Sequence, residues 1–511
     1  GMTRRQTYAV LACILPLYAI ITGWSASIVR ACIMASIYMA GQFLGIRITA
    51  LKTVTICLLG YILLDPYQVF QIGFQLSFLL TYGLILSTNI LQKSTHSPLV
   101  SLLIMTALCQ LISTPIILYH FYEISLISLI SNLLYIPVFT YLLFPVTIGI
   151  YLFVICDFLI GPSLRLLDLI YYLLEKSITF MSDLPATTLL FGKPSNLIMA
   201  FIVFCFIVIL IEAERRSKKL ISVCMITFLV MGYQYNHQLL STSGEITFLD
   251  VGQGDSIFIS LPERRGNYLI DTGGATFFSG ENWTLPTDQY DPGEDIILPY
   301  LKSKGIRVID KLILTHADQD HIGGAKAIIK AVKVYEVMIP FEQRKEFRDT
   351  EVIKEAINQQ IPIREVKAGM EWGAGDATFT ILSPVEKTED KNESSIVIKM
   401  RMNQLDWLLV GDLGEKGEQK LLQNESNLKA DVLKVGHHGS KNSSTEEFIH
   451  AVNPSIAVIS SGRKNRFGHP HGEVIDLLNK NKITIYRTDL QGSIQYKFKN
   501  KKDGTLSIKS P

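Results

Sequence analysis

The chain has 511 residues, of which 48% are hydrophobic and only 18% are charged. Soluble proteins typically carry about 25% charged residues, so this composition excludes an ordinary soluble protein and predicts that part of the chain lies in lipid. Residues 1–243 hold 13 Lys/Arg and 8 Asp/Glu, whereas residues 244–511 hold 35 and 38, giving net charges of +5 and −3. The acidic balance of the second part excludes a broadly basic surface for nucleic acid and leaves only local basic patches or a bound cation.

Apolar runs dominate residues 1–243 and stop there. Several approach the roughly 20 residues that a helix needs to cross a bilayer. The chain enters apolar sequence soon after Arg4 and Arg5, without a small-residue cleavage site, which indicates an anchor and not a removable signal. Residues 161–184 are amphipathic and could lie along the membrane interface or pack inside a bundle. We predict nine spans, at about 8–22, 24–44, 48–64, 72–91, 98–120, 124–142, 143–160, 195–211 and 219–236.

Basic residues occupy alternate connections between the predicted spans. They gather around positions 47–52 and 215–219, while the connections around Asp65 and Glu123 contain no Lys or Arg. Because cytoplasmic loops carry an excess of Lys and Arg, the N-terminus is expected in the cytoplasm. Counting crossings from 215–219 predicts that residues 244–511 lie on the external face of the cytoplasmic membrane.

Polar side chains interrupt the apolar runs at a few positions. Arg30 lies within the second predicted span, and Gln71 and Gln75 lie at the start of the fourth. Polar groups inside a membrane are costly and usually face a bundle interior or a water-filled path, so these three residues are candidates for a channel lining. Alternatively, Arg30 reaches the interface and the glutamines only pair helices. Pro115, Pro137 and Pro145 can break helices near the membrane middle, which suits a channel but also ordinary bundle packing.

Residues 244–511 show strand-like and helix-like segments in alternation, which predicts an α/β fold. Two early strand-like segments, 246–250 and 267–271, end in Asp250 and Asp271. All seven cysteines lie in residues 1–243, so a metal in the second part must be held by imidazole and carboxylate groups.

A strand-like segment at 311–315 leads into a turn that is dense in potential metal ligands, and a helix is expected over 325–332. The turn reads His316-Ala317-Asp318-Gln319-Asp320-His321-Ile322-Gly323-Gly324. A short turn with two histidines and two aspartates can aim several donors at one ion, and the glycines would let the backbone pass close to it. The alternative is an ordinary polar turn between a strand and a helix.

Three later motifs contain further candidate ligands. They are Gly411-Asp412-Leu413 at the end of a strand-like segment, Val435-Gly436-His437-His438-Gly439-Ser440, and Gly468-His469-Pro470-His471. The turn and these motifs hold six of the seven histidines in residues 244–511. The seventh, His450, falls in a predicted helix over 444–452 and is interpreted as a surface or packing residue.

These motifs resemble the metallo-β-lactamase fold, whose ligand signature is His-x-His-x-Asp-His, followed by a bridging aspartate and further histidines. With the apolar spans, the chain resembles the ComEC family of competence DNA-uptake channels. Two more motifs carry this resemblance, Phe74-Gln75-Leu76-Ser77-Phe78 and Leu249-Asp250-Val251-Gly252-Gln253-Gly254-Asp255-Ser256. It implies a multi-pass α-helical membrane domain over 1–243 and an α/β metallo-β-lactamase-like hydrolase domain, an αββα sandwich, over 244–511.

The resemblance also implies roles for particular residues. The implied metal ligands are His316, Asp318, Asp320, His321, Asp412 and His437. His438 could replace His437 as a ligand. Alternatively, His438 or His471 donates a proton to the leaving oxygen. Asp320, His438 and His471 are the predicted catalytic residues. Candidates for orienting ligands or contacting substrate are Asp250, Asp255, Asp271, Asn392, Ser440 and His469. His469 and His471 could also supply a further metal ligand or bind the scissile phosphate, and this choice stays open.

The site departs from the broader fold in two ways. Asp318 stands where that fold has its second histidine, and no histidine lies between His321 and His437. The added carboxylate and the missing imidazole predict a divalent metal with manganese preferred and magnesium or zinc as alternatives. Whether one or two metals bind stays open.

The resemblance implies a channel that passes single-stranded DNA across the cytoplasmic membrane, with an external metal-dependent nuclease, a phosphodiesterase, that receives duplex DNA and degrades the strand left outside. Its expected partners are DNA, membrane lipid and other competence proteins, and oligomerisation is left open. One alternative is a membrane-anchored metallo-hydrolase of another surface phosphodiester or ester. Another is a channel whose inactive hydrolase-like domain only binds DNA or a partner.

Overall fold

The computed structural model describes residues 3–23, 26–92, 97–155, 160–182, 184, 187–274, 290–388, 390–425, 427–463, 465–499 and 503–509. The chain divides into two compact units, Gly1–Tyr235 and Asn236–Pro511. The sequence suggested a boundary between residues 243 and 244. In the structure the division follows the apolar helix Lys219–Tyr235, and the short helix His237–Leu240 belongs to the second unit.

The first unit is built mainly from apolar helices, as the long apolar runs predict. Four helical segments among the described residues are long and apolar enough to cross a membrane: Ser27–Leu44, Pro98–His120, Ser128–Phe153 and Asn196–Arg215. Shorter apolar helical segments are Gln6–Ile21, Ala50–Leu64, Ile72–Leu86 and Lys219–Tyr235. The remaining elements are the helices Thr88–Gln92 and Ile160–Ser182, the 3-10 turn Pro66–Phe70, and the antiparallel strands Glu123–Ser125 and Thr188–Leu190.

The predicted spans at 124–142 and 143–160 are wrong as two separate elements. Residues Ser128–Pro137, Val138–Leu143 and Phe144–Ile155 form one helical run, with the middle segment in π-helical geometry. Proline removes a backbone donor and crowds the preceding turn, but a local π-turn lets a helix absorb that disruption without ending. The predicted amphipathic segment at 161–184 is a separate helix, Ile160–Ser182.

Arg30 and Gln75, two of the residues suggested for a channel, contact neighbouring groups of the first unit. The Arg30 guanidinium lies 5.5 Å from the ring centroid of Phe78. Gln75 Nε2 donates to Val69 O at 2.9 Å, and Gln75 Oε1 lies 3.1 Å from His120 Nε2. These contacts agree with helix pairing for Gln75, and the channel role of Arg30, Gln71 and Gln75 stays a prediction.

The second unit contains two large sheets. The first has eight strands, in the spatial order Ile363–Val366, Val337–Pro340, Lys311–Ile313, Asn267–Ile270, Ile257–Ser260, Ser243–Phe248, Ser493–Lys499 and Asp503–Lys509. The second has seven strands, in the order Glu371–Ala374, Ala377–Ser383, Val397–Met402, Leu405–Leu409, Val432–Lys434, Ile456–Ile459 and Thr484–Arg487. A short parallel pair, Val308–Ile309 and Lys333–Val334, accompanies them.

Helices cover the outer face of each sheet, and the inner faces pack together. Ile246 and Phe248 of the first sheet are buried in one apolar cluster with Phe379 and Trp407 of the second. The principal helices against the first sheet are Leu298–Lys304, Ala325–Ala331 and Glu351–Asn358, and those against the second are Glu415–Asn424, Glu446–Val452 and Gly472–Lys480. The αββα sandwich implied by the resemblance is confirmed.

Candidate metal centre

The candidate ligands follow strands that run parallel to their neighbours. Asn267–Ile270 and Lys311–Ile313 are parallel in one sheet, and Leu405–Leu409, Val432–Lys434 and Ile456–Ile459 are parallel in the other. Parallel neighbours have their carboxyl ends at the same sheet edge, so the loops that follow them lie together. Those loops carry Asp271, the turn at 316–321, Asp412, His437, His438 and Ser460.

Four side chains converge at this edge. One ligand atom each from Asp320, His321, Asp412 and His438 lies within 4.8 Å of the other three. His321 Nε2 is 3.3 Å from Asp412 Oδ2, and His438 Nε2 is 3.4 Å from both Asp320 Oδ2 and Asp412 Oδ2. Asp412 is therefore the carboxylate that both imidazoles face. We call these four residues the ligand cluster.

The buried donor atoms of the ligand cluster and of the adjacent His316 fit a divalent cation. His316 Nε2, His321 Nε2, His438 Nε2 and Asp412 Oδ1 are buried and have no hydrogen-bond partner among the described residues. Each such buried atom costs about 1–3 kcal/mol unless something binds it. Imidazole nitrogen and carboxylate oxygen together form the donor set of divalent transition metals.

The electrostatics of the cluster keep its carboxylates ionised. Burial raises the pKa of Asp412, but the adjacent His438 and His321 outweigh burial and hold this pKa well below its usual range. Burial likewise opposes ionisation of Asp320, yet His438 and His321 lower its pKa to about 2. Burial and the neighbouring His321 lower the pKa of His316 to about 4, so this imidazole is neutral at neutral pH.

His321 is oriented from behind by Asp271. Asp271 Oδ2 lies 2.7 Å from His321 Nδ1, while its two oxygens also accept from Thr315 N at 2.8 Å and Thr315 Oγ1 at 2.6 Å. A proton on Nδ1 shared with a carboxylate leaves Nε2 free to bind a metal and fixes the ring direction. The orienting role that the resemblance suggested for Asp271 agrees with this geometry.

His438 is backed by Ser460, Asp255 and Lys434. Its Nδ1 lies 3.1 Å from Ser460 O and 3.4 Å from Asp255 Oδ1. Asp255 in turn forms an ion pair with Lys434, whose side chain is completely buried. Sequence reasoning missed Lys434, although a single lysine inside the apolar strand Val432–Lys434 is the signal that could have indicated it.

Three predicted ligands lie beside the cluster. His316 Nε2 is 3.8 Å from Asp318 Oδ2, and Asp318 Oδ1 accepts from Lys391 Nζ at 3.2 Å. His437 Nε2 is 3.9 Å from Asp412 Oδ2. His437 and His438 have φ values of 47° and 53°, and their rings are 6.3 Å apart at 78°. This turn brings His438, and not His437, into the cluster.

Other predicted residues shape the loops around the cluster. Asp250 Oδ1 accepts from Gly252 N at 3.4 Å, Asn392 N donates to Asp390 Oδ1 at 2.9 Å, and Ser440 N donates to His437 O at 2.8 Å. The His469 ring lies 6.2 Å from that of His438 and 5.0 Å from that of His471. His450 is a surface residue that lies 3.7 Å from Glu446.

The glycines of the turn serve backbone packing. A Cβ at Gly323 would lie 2.6 Å from Gly274 Cα, and one at Gly324 would lie 2.6 Å from Gly293 N. A Cβ at Gly254, where φ is 111°, would meet Asp320 O at 1.9 Å. The expectation that Gly323 and Gly324 approach the ion is therefore replaced by close contact between loops behind the ligands.

Both units of the chain match known protein families. Residues 1–216 match the family described as Competence protein, and residues 249–463 match the metallo-beta-lactamase superfamily. ComE operon protein 3 of Bacillus subtilis (strain 168) is 38% identical over 518 residues, covering 100% of this chain and 66% of that protein. Competence protein ComA of Neisseria gonorrhoeae is 28% identical, covering 94% of this chain and 63% of that protein. The chain thus spans slightly less than two thirds of these relatives.

Among solved structures, the metallo-beta-lactamase fold protein YhfI from Bacillus subtilis is 9% identical over 48% of this chain and 95% of its own, with a TM-score of 0.31. The two family matches follow the same order as the apolar helical unit and the sheet sandwich. The match to the metallo-beta-lactamase superfamily and the ligand cluster support a metal-dependent hydrolase that uses a divalent cation. The chain belongs to the ComEC family of competence proteins.

Proposed function

We propose that this protein takes part in DNA uptake, and that its second unit cleaves DNA with a divalent metal while the helical unit passes a single strand across the cytoplasmic membrane. The observation that carries the nuclease part is the ligand cluster, with unpaired nitrogens of His321 and His438 facing Asp412. The similarity to competence proteins supports DNA as the substrate.

The ligand cluster would hold the metal through His321, His438, Asp320 and Asp412. When bound, a divalent cation activates water and polarises a phosphate oxygen. Asp271 and Asp255 hold the two imidazoles in the orientation that presents Nε2 to the cation. Because His438 lies within the cluster, this arrangement favours it as a ligand over His437.

His471 is the better candidate for the proton donor to the leaving oxygen. Its Nδ1 accepts from Lys441 N at 3.3 Å, which leaves the proton on Nε2. His469, whose pKa burial and the neighbouring His438 lower to about 4, is neutral at working pH and contributes a ring and no charge.

The metal we propose is manganese. Two of the four cluster donors are carboxylates, and hard oxygen donors suit manganese and magnesium, whereas imidazole-rich sites suit zinc. Zinc is the tighter binder at almost any such site, so activity and not occupancy decides the question. The protein stripped of metal should recover DNA cleavage with manganese better than with zinc, and recovery with zinc alone would contradict this choice.

The topology we propose has the second unit outside the cytoplasmic membrane. The helical run Ser128–Ile155 replaces two predicted crossings, so we propose that the amphipathic 23-residue helix Ile160–Ser182 makes the other crossing, with its charged side chains facing the helical bundle and not lipid. With that helix crossing, the basic connection at 215–219 stays cytoplasmic, as the positive-inside rule requires. Protease added to intact spheroplasts should therefore cut within residues 236–511. Cleavage only after lysis would show that the second unit lies in the cytoplasm and that the proposed topology is inverted.

The nuclease is tested on the full chain in detergent micelles. Labelled single-stranded and duplex DNA would be incubated with manganese, with chelator, and with chelator followed by excess manganese. We expect cleavage that the chelator stops and manganese restores. DNA binding without cleavage would support the inactive-domain alternative, whereas hydrolysis of a small aryl phosphodiester or ester but not of DNA would support the anchored-hydrolase alternative.

A further inference from the structure

Phe467 is an exposed aromatic side chain next to the ligand cluster. It is 48% exposed, and its ring stacks against that of His469, with centroids 5.8 Å apart and an interplanar angle of 25°. The His469 ring lies 6.2 Å from the ring of His438, a cluster residue. One imidazole therefore separates Phe467 from a proposed metal ligand.

The loop that carries Phe467 is held by its own hydrogen bonds. Asn465 Nδ2 donates to Gly462 O at 2.9 Å and to His469 O at 2.6 Å, and Asn465 Oδ1 accepts from His469 N at 3.0 Å. These bonds tie down the backbone on both sides of Phe467, and the ring itself is held by its stack on His469 although half of its surface faces solvent. Core packing does not account for a phenylalanine exposed to this degree.

A cationic side chain accompanies the ring. The Arg466 guanidinium lies over the ring of Phe467, 5.4 Å from its centroid, so a base that stacks on this face would displace the guanidinium from the ring. Proteins that bind single-stranded nucleic acids combine cationic groups for the phosphates with aromatic rings on which bases stack. Bases inside a duplex are stacked on both faces, so only an unpaired nucleotide or the end of a duplex can offer a base to such a ring.

We propose that Phe467 is a stacking platform for an unpaired nucleobase beside the phosphate that is cleaved, with Arg466 contacting the adjacent backbone. This inference rests on the proposed nuclease function and specifies its substrate as single-stranded DNA or a frayed duplex end. Base stacking tolerates any sequence because every base has a π-face. Cleavage should therefore depend on the presence of a base near the cut and little on its identity.

Tyr335 provides a matched control on the same unit. It is 49% exposed, and the Lys333 ammonium lies 5.0 Å from its ring centroid, so it is an aromatic and cation pair of similar exposure. Tyr335 precedes the strand Val337–Pro340, which runs parallel to Lys311–Ile313. It therefore lies at the sheet edge opposite to the carboxyl ends that carry the ligands.

The test measures cleavage of single-stranded DNA by the full chain in detergent with manganese, for wild type, Phe467→Ala, Phe467→Tyr and Tyr335→Ala. Losing one base-stacking contact should raise KM about tenfold in Phe467→Ala. Phe467→Tyr and Tyr335→Ala should keep the wild-type KM. An abasic nucleotide removes the base next to the cut. With this substrate the KM of wild type should rise about as much as in Phe467→Ala, and the KM of Phe467→Ala should stay unchanged.

Equal KM values for wild type and Phe467→Ala, or equal cleavage of abasic and normal DNA by wild type, would overturn the stacking proposal. A second measurement separates it from the nuclease proposal. Quenching of 2-aminopurine fluorescence in DNA bound under chelator does not require cleavage. If wild type binds without cutting, the nuclease proposal fails, and loss of quenching in Phe467→Ala still decides whether Phe467 stacks on a base.

Discussion

The metal centre has an assembled part, which is the ligand cluster, and a peripheral part, which is His316, Asp318 and His437. The two parts differ in how their donor side chains are held in place. In the assembled part, buried carboxylates lie 2.7 Å and 3.4 Å from the Nδ1 atoms of His321 and His438. In the peripheral part, Asp318 is 40% exposed and its carboxylate accepts from the exposed Lys391. Buried groups therefore fix the direction of both cluster imidazoles, whereas Asp318 is held by an exposed ion pair, so membership of a ligand-like motif is not sufficient for a place in the cluster.

The largest expected effect comes from removing a carboxylate of the assembled part. Asp320→Ala or Asp412→Ala should lower DNA cleavage by more than about 100-fold, which is the upper range for losing a group that only orients a ligand. Each change removes a charged donor and no core packing, so circular dichroism should stay that of the wild type. Asp476→Ala, an exposed carboxylate on the helix Gly472–Lys480, is the matched control. Full activity in either cluster variant would show that the ligands are misassigned.

An intermediate effect is expected from the groups behind the imidazoles. Asp271→Asn and Lys434→Met should each weaken manganese binding about 10–100-fold, because His321 loses its carboxylate partner and the Asp255 carboxylate that backs His438 loses the cation that holds it. Lys434→Met also leaves Asp255 buried without its cation, so a lowered melting temperature is expected. Lys480→Met removes an exposed lysine paired with Glu446 and serves as the control. If both variants bind manganese with wild-type affinity, neither Asp271 nor Lys434 helps to orient a ligand.

The smallest effect is expected in the peripheral part. Asp318→Asn breaks an exposed ion pair with Lys391, and such pairs are worth about 0–1 kcal/mol. Manganese affinity and cleavage should therefore change by less than about fivefold. A loss as large as that of Asp412→Ala would make Asp318 a ligand and erase the distinction between the two parts.

Local sequence patterns predicted the donors that are close together in the chain. The turn at 316–321 supplies two members of the cluster within a few residues, and its density of ligands was visible directly. Lys434 was missed because its partner, Asp255, lies 179 residues away in sequence. The choice between His437 and His438 depends on two consecutive left-handed residues, a conformation that no residue type in the motif dictates.

The helical unit shows a different limit of sequence reasoning. Apolar composition indicated where helices lie, but Pro137 and Pro145 suggested a break that the π-helical segment Val138–Leu143 removes. Hydropathy does not report such local changes of hydrogen bonding. The sandwich of the second unit was predictable at the level of layers, because the resemblance carried the order of the sheets and helices.

The central claim is that the ligand cluster binds the divalent cation that enables DNA cleavage. The most direct measurement titrates manganese into this protein after a chelator has stripped its metal and follows free manganese by electron paramagnetic resonance, with cleavage measured on the same samples. Wild type and Asp318→Asn should deplete free manganese and cleave DNA in proportion to occupancy, whereas Asp412→Ala should do neither. Manganese binding by Asp412→Ala equal to that of wild type, or cleavage by wild type without bound metal, would contradict the account.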